Sequence, residues 1–209
     1  VMVVSQPTGT LFDLLQNLDG SFKDKDLMDS KAFIADIGFG TTDMSVLYDG
    51  DLRSSSGFDM GVSDYVLACQ DAINTEFPES NVYQVPRHLL DNQLREGIVK
   101  TPFGEYDVTD ITARERKDFA NAIYQRVIGL GLQFNEFERI IVTGGGALLF
   151  AEELKYFFND DRYEIKKDAQ SSNARGFFIY GANTWAGELY EAPVQRASIP
   201  KADLDIEED

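Results

Sequence analysis

The chain has 209 residues, 43% of them hydrophobic, which suits one domain, or one domain carrying an inserted subdomain, with a real buried core. Its net charge is −17, from 36 acidic against 19 basic residues, and so acidic a surface repels nucleic acid and anionic membrane. One cysteine, Cys69, and one histidine exclude an internal disulfide, argue against a Cys/His zinc site and suit a reducing cytoplasm. No signal peptide is apparent, and no apolar run is long enough to cross a bilayer.

The chain opens on Val-Met-Val-Val, which reads as the end of a strand and suggests a piece of a longer protein. Leu11, Leu14, Leu15 and Leu18 share one face of an expected helix over Thr8–Leu18, followed by a charged linker, Lys23–Asp29. Ala32–Ile37 is an apolar run suited to a buried strand. Met44–Tyr48 and Leu52–Phe58 continue it as a meander, with Asp49-Gly50 as the hairpin signal. Gly61 opens a helix whose stripe is Val62, Val66, Cys69, Ile73 and Phe77, and Pro78 stops it. Pro86–Glu96 reads as a short helix, Ile98–Val108 as a hairpin around Pro102-Phe103-Gly104, and Thr112–Leu130 as a longer helix. Arg139–Thr143 is a buried strand. Gly144-Gly145-Gly146 is expected to turn directly into a helix over Ala147–Phe158. A strand near Tyr163–Lys166 and a helix over Asn173–Trp185 follow.

The expected organisation is thus residues 1–30 as strand end, helix and linker, 31–78 with 112–188 as an α/β core, 79–111 as an inserted subdomain, and 189–209 as an acidic, disordered tail.

Two segments carry chemistry. Asp36-Ile37-Gly38-Phe39-Gly40-Thr41-Thr42-Asp43 lies between two expected strands. It can be an ordinary turn, since glycine, threonine and aspartate are common turn residues. It can also bind an oxyanion: glycines let N–H groups approach without a Cβ in the way, and the threonine hydroxyl adds a donor. An aspartate ending a buried strand can hold a water on Mg²⁺, an ion that keeps most of its waters. Thr143-Gly144-Gly145-Gly146-Ala147 is the second segment. Three successive glycines are costly in conformational entropy and argue for close approach of a backbone or ligand, while a helix start offers its positive end to phosphate. A tight strand–helix crossover is the alternative.

Together the two segments resemble the second phosphate motif and the adenosine motif of the superfamily of actin, sugar kinases and heat-shock chaperones, in the right order, with an insertion and a long helix between. Phe39 stands where many members have a third glycine. Gly61-Val62-Ser63 resembles the start of the helix behind the hairpin in ParM-like plasmid-partitioning actins, and Asn173-Ala174-Arg175-Gly176-Phe177, leading to Gly181, resembles the second connecting helix.

The resemblance implies an actin-like (ribonuclease H-like) ATPase domain with a mixed five-stranded sheet flanked by helices. It further implies ATP or GTP with Mg²⁺, Asp36 ordering the magnesium waters, Gly38, Phe39, Gly40 and Thr41 at the β- and γ-phosphates, and Gly144, Gly145 and Gly146 at the α-phosphate and ribose. Asp43 would brace the hairpin. Gln6 matches a glutamine that positions the attacking water, a plain helix-start residue being the other reading. The implied partners are further copies of the chain in a filament and an adaptor protein–DNA complex, with no direct nucleic-acid or membrane contact, and the implied role is plasmid DNA segregation. A non-polymerising scaffold of cell division or pilus assembly and a small-molecule kinase share the fold and remain alternatives. Only 35 residues precede Asp36, so the partner domain with the other phosphate hairpin is not in the chain, and the chain by itself is expected to bind nucleotide weakly or not at all.

Overall fold

A computed structural model describes residues 6–159, 161–166 and 168–189. The expected opening strand at Val1–Val4 and the tail beyond residue 189 lie outside them.

The helix α1 spans Gln6–Leu15 and a short α2 spans Lys25–Asp29. The second corrects the expected linker: Asp24 accepts a hydrogen bond from the Leu27 N–H as N-cap, Leu27 is wholly buried and Met28 packs beside it, so one cap and two apolar side chains fold a charged stretch. The strands β1 (Ala32–Ile37), β2 (Thr42–Tyr48) and β3 (Asp51–Phe58) form the meander. Asp49 and Gly50 both have positive φ, 53° and 73°, as a two-residue hairpin turn of this hand requires.

The α3 helix (Val62–Glu76) leads through two short 3-10 turns to α4 (Arg87–Glu96), the hairpin β4 (Ile98–Thr101) and β5 (Gly104–Asp107), and the long α5 (Thr109–Gly129). The strand β6 (Arg139–Thr143), α6 (Ala151–Phe158), β7 (Tyr163–Ile165) and α7 (Ser172–Leu189) complete the described chain.

The sheet is mixed and five-stranded, in the order β3-β2-β1-β6-β7. The meander strands are antiparallel, whereas β6 is parallel to both β1 and β7. Strand β1 is buried along its whole length, and alternation divides its side chains between two layers. Phe33, Ala35 and Ile37 enter a large core with Tyr65, Val66, Cys69, Ile123 and Phe150 from the α3, α5 and α6 side. Ala32 and Ile34 enter a smaller core with Leu11, Leu15 and Leu27 under α1 and α2. Helices on both faces of a largely buried sheet give the α/β architecture expected from the sequence.

The α6 helix begins four residues later than expected. After β6 the chain makes successive turns, with Ala147 N–H donating to the Gly144 carbonyl and Leu149 and Phe150 N–H both donating to the Gly146 carbonyl. Three glycines carry no side-chain anchor to begin a regular helix, the buried Ala147 offers only a methyl, and Phe150, fully buried at the N-cap of α6, is the first large side chain that fixes one.

Candidate functional site

Asp36 belongs to the same alternating set as Ala32 and Ile34, so it faces α1 and α7 at the carboxyl end of β1, 6% exposed. Side chains from both helices reach one of its oxygens. Asn173 Nδ2 donates to Asp36 Oδ2 at 2.8 Å, and Thr10 Oγ1 lies 3.1 Å from the same atom. The single Thr10 hydroxyl proton has a nearer acceptor in Asn173 Oδ1 at 2.5 Å, so Asn173 donates to the carboxylate and Thr10 holds Asn173 in place beside it. Burial pushes the Asp36 carboxyl above the usual carboxylate range; the Asn173 and Thr10 hydrogen bonds pull the other way, and Asp43 nearby adds to the rise. Neither Thr10 nor Asn173 was singled out from the sequence for this role.

The other oxygen, Oδ1, lies over Gly144. That glycine has φ +90°, and a Cβ there would run into Asp36 Oδ1 and the Ile37 carbonyl oxygen. Gly146 N–H donates to the Ile37 carbonyl at 2.9 Å, and Asp36 pairs in register with Thr143. The hairpin loop and the glycine loop are therefore neighbours at the carboxyl ends of two adjacent parallel strands.

Within the hairpin, Gly38 N–H closes the turn onto the Thr41 carbonyl at 2.8 Å. Thr41 Oγ1 reaches Asp43 Oδ2 at 3.3 Å, and a Cβ at Gly57 on the facing strand would come within 2.7 Å of Asp43 Oδ1. Asp43 thus packs against the hairpin it ends. Phe39 is exposed, 61%, and its carbonyl accepts the Ser63 N–H at 2.7 Å, while the Gly38 carbonyl accepts the Val62 N–H at 3.1 Å. The first turn of α3 therefore holds the hairpin loop from behind. Gly61 makes this approach possible and is itself fixed by donating its N–H to Asp64 Oδ2 at 2.9 Å. Among the described residues, the Gly40 and Gly145 N–H groups make no backbone hydrogen bond, and a Cβ at Gly40 would meet nothing within 4 Å. Gln6 is exposed at the start of α1, one turn before Thr10, so it shares the helix face that Thr10 presents.

Sequence comparison places this geometry. The profile described as archaeal actin homologue MreB-like, C-terminal, matches residues 34–156, from the strand of Asp36 through the glycine loop and into α6. The chain belongs to this family of actin homologues. Three solved structures align with this MreB-like chain over 87% of its length. They are a non-polymerisable quadruple mutant of pCBH ParM (21% identity, TM-score 0.72, 54% of that chain), a 15-stranded ParM filament from Clostridium botulinum (20%, 0.70, 53%), and the archaeal actin homologue Ta0583 in complex with ADP (23%, 0.67, 57%). The likeness establishes an actin fold. The MreB-like chain spans about half the length of these structures. No curated protein matches it. Among the described residues no helix is long and apolar enough to cross a membrane.

The residues present fit a magnesium–nucleotide group. Asp36 is a buried carboxylate with one oxygen tied down and the other at the glycine cradle, which suits an ion bound through its waters. Beside it in register, the buried Thr143 hydroxyl has no hydrogen-bond partner among the described residues. Gly144 lets the Asp36 carboxylate and the Ile37 carbonyl pack directly on its backbone, which sets Asp36 Oδ1 beside the glycine loop.

Proposed function

We propose that the chain is one wall of the nucleotide site of an actin-fold ATPase. The observation that carries this reading is the adjacency of the loops at 38–41 and 144–146, 103 residues apart along the sequence, around the buried Asp36. Asp36 holds the water shell of Mg²⁺. Gly40 and Thr41 donate to the outer phosphates, with Gly38 and Phe39 shaping the loop, and Gly145 serves the inner phosphate and ribose, with Gly144 and Gly146 supplying the close approach. Gln6, on the face of α1 that carries Thr10, orients the attacking water. Mg²⁺ supplies neutralisation of the phosphate oxygens as charge shifts during transfer to water. The protein's share is position and preorganised donors.

Related structures are about twice as long, and we assign hydrolysis of ATP or GTP to an assembly in which a second domain closes the site. Residues 31–78 and 112–188 act as the core that holds nucleotide, and 79–111 as an inserted subdomain. One related structure is a filament. We extend the reading to self-association of this protein, in the cytoplasm, and to plasmid DNA segregation through an adaptor–DNA complex, since a net charge of −17 disfavours direct DNA contact.

Titration of Mg-ATP into the chain, followed by amide NMR shifts, tests the nucleotide reading. Millimolar binding with shifts confined to 36–43 and 143–147 is expected. Unmoved amides in those loops at saturating millimolar nucleotide overturn it, and tight binding with turnover by the chain alone overturns the half-site assignment. Nucleotide-dependent light scattering by the two-domain assembly tests polymerisation; scattering indifferent to nucleotide refutes it.

A further inference from the structure

We propose that Thr10 and Asn173 are positioning residues that clamp the Asp36 carboxylate, presenting a single oxygen to the magnesium water shell and tying that carboxylate to the crossing of α1 and α7. The inference rests on the nucleotide reading above. Asn173 Nδ2 at 2.8 Å and Thr10 Oγ1 at 3.1 Å both fall on Oδ2, and the two side chains bond to each other at 2.5 Å. Asn173 thereby commits Oδ2, and Thr10, whose one proton goes to the nearer Asn173 Oδ1, fixes the amide that grips it. Oδ1 remains, held above Gly144 where no Cβ intervenes.

The clamp is seated by backbone contact. A Cβ at Gly176 would overlap the Gly9 carbonyl, and a Cβ at Gly9 would lie 2.8 Å from the Phe177 ring and 3.0 Å from the Asn173 carbonyl oxygen. Thr10 follows Gly9 directly, and Asn173 lies three residues before Gly176, so the closest approach of the two helices sits beside the residues that grip the carboxylate. A shift of α7 along α1 therefore moves Asn173 and turns Asp36. Residues that orient a metal-binding carboxylate through hydrogen bonds typically change metal affinity by about tenfold to a hundredfold.

The test compares the chain with Asp36→Ala, Asn173→Ala, Thr10→Val and Thr10→Ser. Apparent ATP affinity is measured by NMR shift, once with Mg²⁺ and once with chelator. Asn173→Ala and Thr10→Val are expected to lose about tenfold in affinity with Mg²⁺ and to match the unaltered chain in chelator. Thr10→Ser, which keeps the hydroxyl, is expected to restore the Mg²⁺ effect. A purely structural role would lower both affinities together. Asn173→Ala retaining the full Mg²⁺ effect while Asp36→Ala loses it overturns the clamp and leaves the nucleotide reading intact. An unaltered chain whose affinity ignores Mg²⁺ sinks both. Crystal structures of the ligand-free chain and of Asn173→Ala give a second readout: the carboxylate is expected to turn away from Gly144 in the variant, and an unmoved carboxylate overturns the proposal.

Discussion

Gly61→Ala isolates the contact between the hairpin loop and the helix behind it. Gly61 is extended (φ −151°), so an alanine there adds no backbone strain and acts only through its Cβ. That Cβ would lie 2.5 Å from the Phe39 carbonyl oxygen, 2.6 Å from its carbon and 2.8 Å from the Gly38 oxygen. All three are backbone atoms, which no rotamer change can move aside. Restoring ordinary contact at 3.4 Å requires the start of α3 and the loop to separate by about 0.9 Å. The Ser63 N–H···Phe39 O bond would stretch from 2.7 Å to about 3.6 Å and Val62 N–H···Gly38 O from 3.1 Å to about 4.0 Å, both beyond hydrogen-bonding range. Two lost backbone bonds at about 1 kcal/mol each, with about 2 kcal/mol of overpacking, less about 1 kcal/mol from reduced freedom of the unfolded chain, leave a loss of about 3 kcal/mol. For a chain of this size that lowers Tm by about 6–12 °C. Urea unfolding followed by circular dichroism reads the free energy, and Gly129→Ala is the control. A Cβ at Gly129 meets nothing within 4 Å at the end of α5, so that change is expected to stabilise by up to about 1 kcal/mol. If Gly61→Ala unfolds within 1 kcal/mol of the unaltered chain, the helix does not hold the loop as described.

Three further outcomes follow from the site. Gly144→Ala combines a backbone at φ +90° with a Cβ driven into Asp36 Oδ1, and it is expected to abolish the Mg-ATP shifts and to cost about 2 kcal/mol or more in urea unfolding. Because burial raises the folded pKa of Asp36, its contribution to stability is present at low pH and is lost as pH rises through the folded value; Asp36→Asn is expected to remove that loss and to be the more stable protein at pH 7, which urea midpoints from pH 4 to 7 check. Asp13 shows the opposite sign. Burial works to raise it, but the Arg175 bonds at 2.9 Å and the Lys166 contact at 2.6 Å outweigh burial and lower it, so its stabilisation is present above the unfolded value of about 3.9 and is lost as pH falls through the folded one. Burial also lowers the Lys166 ammonium, which Asp13 partly offsets; the 2.6 Å contact argues that both carry charge at neutral pH. Asp13→Ala is expected to lose about 3–5 kcal/mol at pH 7, because Lys166 is left buried without its carboxylate.

Much of this was legible in the sequence because the signals were local. The apolar runs Ala32–Ile37 and Arg139–Thr143 mark strands on their own, Asp49-Gly50 names its turn, and the stripe from Val62 to Ile73 names a helix face. The failures were local in form and tertiary in cause. A charged run from Lys23 to Asp29 hid a helix because its one fully buried anchor is Leu27, covered by the sheet behind it, with Met28 half-buried beside it. The start of α6 was misplaced because glycines allow a turn as readily as a helix, and burial of Phe150 decides between them. Asp36, Gly38–Thr41 and Gly144–Gly146 were found by motif, and the structure sets them side by side. Thr10 carries no motif and Asn173 reads only as part of a connecting helix, and they lie 26 and 137 residues from the carboxylate they reach.

A signal for that pair existed nonetheless, in the alternation of β1. Ala32 and Ile34 face the core beneath α1, so the next residue of the same parity should be apolar, and it is an aspartate. A carboxylate held under a helical layer at a strand end must find donors, since an unsatisfied buried charge costs several kcal/mol. Those donors must come from the elements covering that face, here α1 and α7. Of the polar residues beside the glycine crossing, Thr10 and Asn173 are the ones that reach the carboxylate. An acid at a core-facing position thus points to partners on the helices above it, whatever their distance in sequence. The closer those helices pack, the more firmly the carboxylate is aimed, and in this chain they pack backbone against backbone beside the acid they orient.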